Sequence, residues 1–407
     1  MTITGQEDHP KHIPEVHNAF DTIKLLGSGS FGSVWHIRNK KDKREYALKY
    51  STATSLPHSV RAETRVLKVC NGTCNLPEPF GVFRHKTQFY TIINYMEHDE
   101  LMSVIYDMTH EDILDYAKNV FIALEYLHAR NVIHRDVKPG NILYNRNKRK
   151  YLLVDFGLST FYEKKEPNIL NNRENQAEKM EIDEDEEELL IAKGREPVFS
   201  KSVTQRCNCS GKPMSCKRCE SAPKFSYCKS GTNGYRAPET MLMCLDQTTK
   251  LDIWSAGATV LSLMCRLPSV FRYDNEFEGI YQYGTILGSN EMSEAAKSWN
   301  VNLMYDKIYP KKSFYRLQKS LNLQTKGQFR EFASTHCKHC QTLIFENANG
   351  FCICEEGPVC VDQYSSIYEQ IVCRVLDFTL HPHPAKRFSA SELLSFLENE
   401  LAELNCK

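Results

Sequence analysis

The run HRDVKPGN, which begins at position 134, combines residue types that suit phosphoryl transfer. Asp136 could orient an attacking hydroxyl and accept its proton, Lys138 could neutralise charge on the transferring group, and Asn141 could ligate a metal ion. Asp155 follows a strand-like apolar run, and its carboxylate and the Asn141 amide would offer two oxygen ligands to Mg²⁺, a hard cation. The pattern therefore predicts metal-assisted transfer of a phosphoryl group to a hydroxyl.

A glycine-rich turn over 27–34 precedes this run and lies between two predicted strands. Gly27, Gly29 and Gly32 would let backbone N–H groups approach phosphate oxygens closely. The residues after Gly32 are strand-like, whereas a dinucleotide-binding loop would need a helix there. Taken alone, the turn fits either a phosphate loop or a plain hairpin.

Lys49 ends the next predicted strand and could hold a phosphate as a point charge. A buried lysine needs an acidic partner, and Glu63, on a helix predicted over 58–70, is the first candidate. Glu78, in a proline-flanked loop, and Glu45, beside a strand, are the alternatives. The sequence thus predicts a lysine–carboxylate pair near the glycine-rich turn.

The order of predicted elements indicates an α+β protein. From 20 to about 50, short apolar runs alternate with Gly-rich and Lys-rich turns, which is typical of strands. Apolar residues recur at three-four spacing between 113 and 127, which predicts an amphipathic helix. A strand-rich first part is therefore followed by a helix-rich second part.

The composition argues against several classes of protein. The chain has 407 residues, with 51 Lys and Arg against 51 Asp and Glu, and a zero net charge argues against nonspecific nucleic-acid binding but leaves room for a local basic patch. We expect no direct nucleic-acid partner. Neither a signal peptide nor a membrane-spanning apolar run is visible, so we expect an intracellular protein without a membrane partner. Ten of the 16 cysteines lie in two irregular stretches, about 162–229 and 298–361.

Together the motifs resemble the eukaryotic protein kinase superfamily over about 20–400. The resemblance implies a bilobal fold, with a small antiparallel-sheet lobe, a larger helical lobe, and ATP and Mg²⁺ in the cleft. It implies ATP contacts from Leu26, Gly27, Gly29, Gly32, Val34, Ala47, Lys49 and Tyr95. Lys138 and Thr232 resemble the serine/threonine class.

Later landmarks extend the resemblance into the second part. Residues 231–239 look like the end of an activation segment, and Asp252 lies in what looks like a buried helix that braces the catalytic loop. The family implies an ion pair between Arg387 and Glu239. The resemblance gives catalytic roles to Asp136, Lys138, Lys49, Glu63 and Thr232, and structural roles to Glu239, Asp252 and Arg387.

Two large inserts make the chain similar to the cell-division-cycle seven kinases, which initiate DNA replication. That family implies a nuclear kinase that is silent alone, is activated by a regulatory subunit, and phosphorylates subunits of the minichromosome-maintenance helicase. Such kinases favour Ser or Thr followed by an acidic or phosphorylated residue. Lys229 and Arg236 flank Thr232 and could face that negative group, or both could simply be solvated.

The resemblance divides the chain into seven parts. They are a flexible tail (1–19), the small lobe (20–97), the first part of the large lobe (98–161), a first insert (162–229), the second part of the large lobe (230–297), a second insert (298–361), and the C-terminal helices (362–407).

The cysteine spacing suggests zinc, because thiolates close together in an intracellular chain suit a tetrahedral zinc ion. The candidate sets are Cys207, Cys209, Cys216 and Cys219, and then Cys337, Cys340, Cys352 and Cys354, with Cys360 and His339 as rivals. Free thiols are the alternative for both sets. Three hypotheses follow for the whole chain: an active replication-type kinase, a pseudokinase scaffold, or an adaptor that acts through zinc-bearing inserts.

Overall fold

The computed structural model describes residues 10–29, 32–51, 57–85, 88–162, 231–244, 246–325, 335–336, 343–344 and 364–405. Within these ranges the chain forms an antiparallel five-stranded sheet and a larger helical part. The predicted α+β class and bilobal fold are therefore confirmed.

Five strands build the small lobe. They are β1 (Phe20–Gly29), β2 (Gly32–Asn39), β3 (Glu45–Ser51), β4 (Pro79–His85) and β5 (Gln88–Asn94). They pair in the order β1-β2-β3-β5-β4, and every pair is antiparallel. Successive residues face opposite sides of a sheet, and Ile37, Leu48 and Tyr90 place one side in a buried apolar core.

The residues just before β1 pack against this core. Helix α1 (Pro14–Ala19) follows a single turn at Pro10–His12, and Ile13 and Val16 are only 2% and 1% exposed. The sequence predicted a flexible tail over 1–19, and the structure differs over 10–19. Two apolar side chains in an otherwise polar stretch are enough to fix a short helix against the sheet.

Helix α2 (Pro57–Cys70) completes the small lobe close to the predicted bounds. The large lobe contains α3 (Leu101–Val104), α4 (His110–His128), α5 (Pro238–Met241), α6 (Lys250–Cys265), α7 (Glu276–Leu287), α8 (Ser289–Ser298), α9 (Phe314–Thr325), α10 (Ile367–Thr379) and α11 (Ala390–Asn405). α6 is buried from Leu251 to Cys265, as a helix that is apolar all round should be. Among the described helices, none is both long and apolar enough to cross a membrane.

Two short antiparallel strand pairs frame the predicted catalytic residues. β6 (Val132–Ile133) pairs with β9 (Thr160–Phe161), and β7 (Ile142–Asn145) pairs with β8 (Lys150–Leu153). These pairings bring residues 134–141 beside residues 154–159. A further small pair joins β10 (Thr335–His336) and β11 (Leu343–Ile344).

α9 lies inside the stretch that the sequence analysis assigned to the second insert. Phe314, Tyr315 and Leu317 are 3%, 8% and 6% exposed and belong to the large-lobe core. The structure therefore differs from the predicted boundary at 298, because the large lobe continues at least to 325. Phe314, Leu317 and Leu321 have helical spacing, but charged and amide residues lie between them, so the sequence did not indicate a helix here.

Candidate active site

Lys49 is held between two carboxylates in the cleft. Its Nζ lies 2.7 Å from Glu63 Oε1 on α2 and 2.7 Å from Asp155 Oδ1. Burial alone would lower the pKa of Lys49, but the two carboxylates outweigh burial and raise it. Burial would raise the pKa of Asp155, and the Lys49 charge reverses that shift. Both groups are therefore ionised at neutral pH, and Glu63 is the acidic partner of Lys49.

The sheet register explains why Lys49 reaches the cleft. Val34 lies opposite Lys49, and His36 lies opposite Ala47. Residues directly opposite each other in an antiparallel pair share a face. The predicted ATP contacts Val34 and Ala47 therefore lie on the same cleft face as the Lys49 ammonium.

The glycine-rich turn joins β1 to β2 above this face. Gly27 pairs with Val34, and Gly29 pairs with Gly32. Gly32 has a φ of +128°, which favours glycine. A Cβ placed on Gly27 would meet nothing within 4 Å, so the backbone there is open to a ligand. Leu26, just before the turn, is half-buried.

Asp155 and the next residue point in opposite directions. Asp155 has a φ of +68°, an uncommon conformation for a residue with a Cβ, and its Oδ1 also accepts a bond from the Gly157 N–H at 3.4 Å. Phe156 is 1% exposed in the core and meets the His134 ring edge-on at 5.0 Å. This turn therefore aims the carboxylate at the cleft and anchors the phenyl ring in the large lobe.

The Asp136 carboxylate is fixed by three donors. Thr232 Oγ1 donates to Oδ1 at 2.8 Å, and Asn141 Nδ2 donates to Oδ2 at 2.9 Å. Lys138 Nζ lies 2.8 Å from Oδ2 and donates to Thr232 Oγ1 at 2.6 Å. Asp136 is 8% exposed. The structure thus brings together the residues that the sequence separated by almost a hundred positions.

Asp252 on α6 holds the backbone of the catalytic loop from below. It is fully buried and accepts the backbone N–H groups of His134 and Arg135, each at 2.8 Å. His128 Nε2 lies 2.9 Å from the same carboxylate. Burial would raise the pKa of Asp252, but these contacts lower it. The sequence did not predict this role of His128, because only the packing of α4 against α6 brings its ring to Asp252.

His134 is locked as a neutral ring inside this loop. Its Nδ1 accepts the Asp136 N–H at 3.3 Å, so the proton is on Nε2, which faces the Val154 carbonyl at 3.2 Å. Burial lowers the pKa of His134 despite nearby carboxylates that act to raise it. The ring can therefore keep one acceptor and one donor at neutral pH.

Arg135 joins the two flanks of the first insert. Its Nε donates to Thr160 Oγ1 at 2.8 Å, and its Nη1 donates to Gln247 Oε1 at 2.6 Å. Thr160 precedes the insert and Gln247 follows it. Sequence reasoning missed both partners, since a single Thr and a single Gln carry no recognisable spacing.

Arg236, predicted to face an acidic group of the substrate, lies beside the turn that carries Thr232. Its Nε donates to the Gly231 carbonyl at 2.9 Å, its Nη1 lies 3.4 Å from Glu276 Oε1, and its side chain is 15% exposed. Gly231 has a φ of +99°, and a Cβ there would come within 2.9 Å of the Arg135 carbonyl. Arg236 therefore fixes the turn that carries Thr232, and it already has an acidic partner within the chain.

Arg387 and Glu239 form the ion pair that the family resemblance implied. Two parallel bonds of 2.6 and 2.8 Å join them, and both side chains are almost fully buried. The guanidinium carbon also lies 5.0 Å from the centre of the Trp254 ring. Breaking one side of such a buried pair costs about 3–5 kcal/mol, so the pair ties α5 firmly to the C-terminal part of the lobe.

Several predictions lie outside the described residues. They concern the substrate residue Lys229 and the zinc candidates Cys207, Cys209, Cys216, Cys219, Cys337, Cys340, Cys352 and Cys354. Among the described cysteines, Cys70, Cys265 and Cys373 are buried. Burial raises the pKa of the Cys70 thiol to about 12, so this side chain is an unreactive part of the core.

The site suits ATP with Mg²⁺. Mg²⁺ prefers oxygen ligands and usually takes one or two from protein and the rest from phosphates and water. Asn141 directs its amide nitrogen to Asp136, and Asp155 supplies a carboxylate beside Lys49. In the described ranges no cluster of three His, Cys, Asp or Glu side chains could hold a metal by itself. Asn141 and Asp155 would therefore share the ion with the nucleotide.

The fold and this cleft define a protein kinase. Residues 20–178 match the protein kinase domain family. The chain is 31% identical to the "Probable cell division control protein 7 homolog 2" of Encephalitozoon cuniculi over 292 residues, which cover 72% of this chain and 77% of that protein. It is 25% identical to the mouse "Cell division cycle 7-related protein kinase" (73% and 71% covered) and 24% identical to the "Cell cycle protein kinase spo4" of Schizosaccharomyces pombe (96% and 88% covered).

The chain belongs to the cell division control protein 7 family of cell-cycle kinases. It is a serine/threonine protein kinase, a transferase that uses ATP and Mg²⁺. Both statements agree with the sequence analysis.

Replacing Glu63 tests the Lys49 pair. Glu63→Gln keeps the shape but removes the charge, and a charge-assisted bond contributes about 1.5–3 kcal/mol. We expect kcat to fall by about 10- to 100-fold. Glu78→Gln, at the exposed alternative position, should leave kcat unchanged in the same assay. Equal activity of both variants would show that the ion pair does not support catalysis.

The lowered pKa of His134 predicts that the fold loses stability in acid. The ring is neutral in both the folded and the unfolded chain above pH 6.5. Below pH 6.5 the unfolded chain binds a proton first, so the free energy of unfolding falls until the pH passes the lower pKa of the folded state. Nitrogen NMR of histidine-labelled protein should show the His134 ring neutral at pH 7, with its proton on Nε2, and its titration midpoint below 6.5. A titration midpoint at or above 6.5 would contradict this assignment.

Proposed function

We propose that this kinase phosphorylates Ser or Thr in acidic contexts on subunits of the minichromosome-maintenance helicase, in the nucleus, and thereby starts DNA replication. We also propose that a regulatory subunit activates it. Membership of the family supports both statements, as does the resemblance of the two inserts. The observation that carries the chemistry is the Asp136 carboxylate, held by Thr232, Lys138 and Asn141.

The geometry gives each group a task in the transfer. Thr232 and Asn141 set the orientation in which Asp136 accepts the proton of the attacking hydroxyl. Lys49 and Lys138 place positive charge where the transferring group gathers negative charge. Asn141 and Asp155 would hold Mg²⁺, which would offset negative charge on the phosphates.

A kinase-fold scaffold is the second reading of the chain. A pseudokinase would be expected to lack one or more of these contacts, yet Lys49, Asp136, Asn141 and Asp155 all make theirs. The contacts therefore favour an enzyme.

The test measures transfer of labelled phosphate to recombinant helicase subunits and to two peptides, one with Ser followed by Glu and one with Ser followed by Ala. The full chain is assayed alone, with a nuclear extract fraction, and as Asp136→Asn in each condition. We expect transfer only with the extract, preference for the Ser-Glu peptide, and loss of turnover in Asp136→Asn while calorimetry shows unchanged ATP binding.

Each departure contradicts one part of the proposal. Full activity of the chain alone would show that no regulatory subunit is needed. Equal phosphorylation of both peptides would contradict the preference for acidic sites. Near-wild-type turnover by Asp136→Asn would refute the assignment of Asp136. Transfer to the peptides but not to the helicase subunits would show that the helicase subunits are not the substrate.

Structural zinc is a separate proposal that rests on the cysteine spacing of the two inserts. Metal analysis of the purified full chain should find at least one zinc ion per chain, and the first set, Cys207 to Cys219, should account for one of them. Less than one zinc ion per chain would rule out both sites.

A further inference from the structure

The ring of His36 stacks on the ring of Tyr95. The ring centres are 3.7 Å apart, and the ring planes differ by 15°. His36 is 6% exposed, so its ring is almost entirely covered by protein. None of the roles assigned to the cleft so far uses this histidine.

The register places the stack beside the nucleotide pocket. His36 lies opposite Ala47, and Ala47 lies opposite Ile93 on the next strand. Tyr95 follows two residues after Ile93, where the chain leaves the sheet for the large lobe. His36 and Tyr95 therefore meet across β3, next to Ala47, which is predicted to contact ATP.

Glu45 fixes both members of the stack. Its backbone carbonyl accepts the Tyr95 N–H at 3.2 Å. Its Oε2 lies 3.2 Å from His36 Nε2, while its Oε1 accepts a bond from Arg38 at 2.7 Å. Two rings and a carboxylate thus form one unit at the start of the linker, residues 95–100, which joins the sheet to α3.

We propose that His36 is a positioning residue for the nucleotide. The His36–Tyr95 stack holds the Tyr95 ring and the start of the linker in place, so that the slot for the base of an adenine nucleotide exists before ATP arrives. A preformed site avoids the cost of ordering the linker during binding. This inference rests on ATP binding in the cleft, as the proposed function does.

The expected effect is on nucleotide affinity. Aromatic pairs contribute about 0.5–1.5 kcal/mol beyond their buried area, which corresponds to about 2- to 12-fold in an equilibrium constant. Because His36 does not touch Asp136 or Thr232 in the described contacts, kcat and the KM for a peptide substrate should not change.

Calorimetry of ATP with Mg²⁺ binding to the full chain tests the proposal without needing turnover. His36→Ala should raise the Kd for ATP about 3- to 10-fold, whereas His36→Phe, which keeps a flat ring, should stay within about twofold of wild type. His85→Ala removes an imidazole from the far edge strand β4 and should leave the Kd unchanged. In assays of transfer, the KM for ATP should follow the Kd.

An unchanged Kd in a folded His36→Ala variant would overturn the proposal. Equal weakening in His36→Ala and His36→Phe would also overturn it, because stacking would not be the cause. If His36→Ala does not fold, His36→Leu, which fills the same space without an aromatic ring, should weaken ATP binding by a similar factor, and an unchanged Kd in that variant overturns the proposal. Failure of wild type to phosphorylate helicase subunits would contradict the proposed function, while the binding comparison would still decide this inference.

Discussion

The ammonium group of Lys49 is the point on which the arrangement of the cleft depends. It contacts Glu63 and Asp155 at the same distance of 2.7 Å, and these residues come from a helix of the small lobe and a turn of the large lobe. Lys49 is half-buried, with 21% of its side chain exposed, and a cation shielded from water to this degree needs opposite charges beside it. The helix α2 and the Asp155 turn each supply one. The lobes therefore meet in the arrangement that phosphoryl transfer needs.

A second buried charge does the same for the catalytic loop. The Asp252 carboxylate accepts hydrogen bonds from two backbone N–H groups and contacts His128 Nε2. These contacts fix the turn that carries Asp136. Asp136 in turn accepts a hydrogen bond from the hydroxyl of Thr232, which follows the first insert in the chain. Each carboxylate thus links segments that lie far apart in the chain.

The sequence predicted those parts of the site whose chemistry demands a residue type at a set spacing. Asp136, Asn141, Asp155 and Lys49 could be found this way, and Glu63 followed because a buried lysine needs an acid. His128, Gln247 and His36 could not, since only tertiary contacts and strand register bring them to the site. The helices α1 and α9 were not predicted, because only a few apolar residues, separated by polar ones, pack each of them against the core.

The central role of Lys49 is tested most directly by a single-turnover measurement of phosphate transfer by the activated full chain. Lys49→Met removes the charge that joins the lobes but keeps an apolar stem of similar length, and Lys41→Met, in the exposed turn before β3, is the matched control. We expect Lys49→Met to remain folded and to transfer phosphate at least about 100-fold more slowly, while Lys41→Met matches wild type. A folded Lys49→Met variant that transfers phosphate at the wild-type rate would contradict this role.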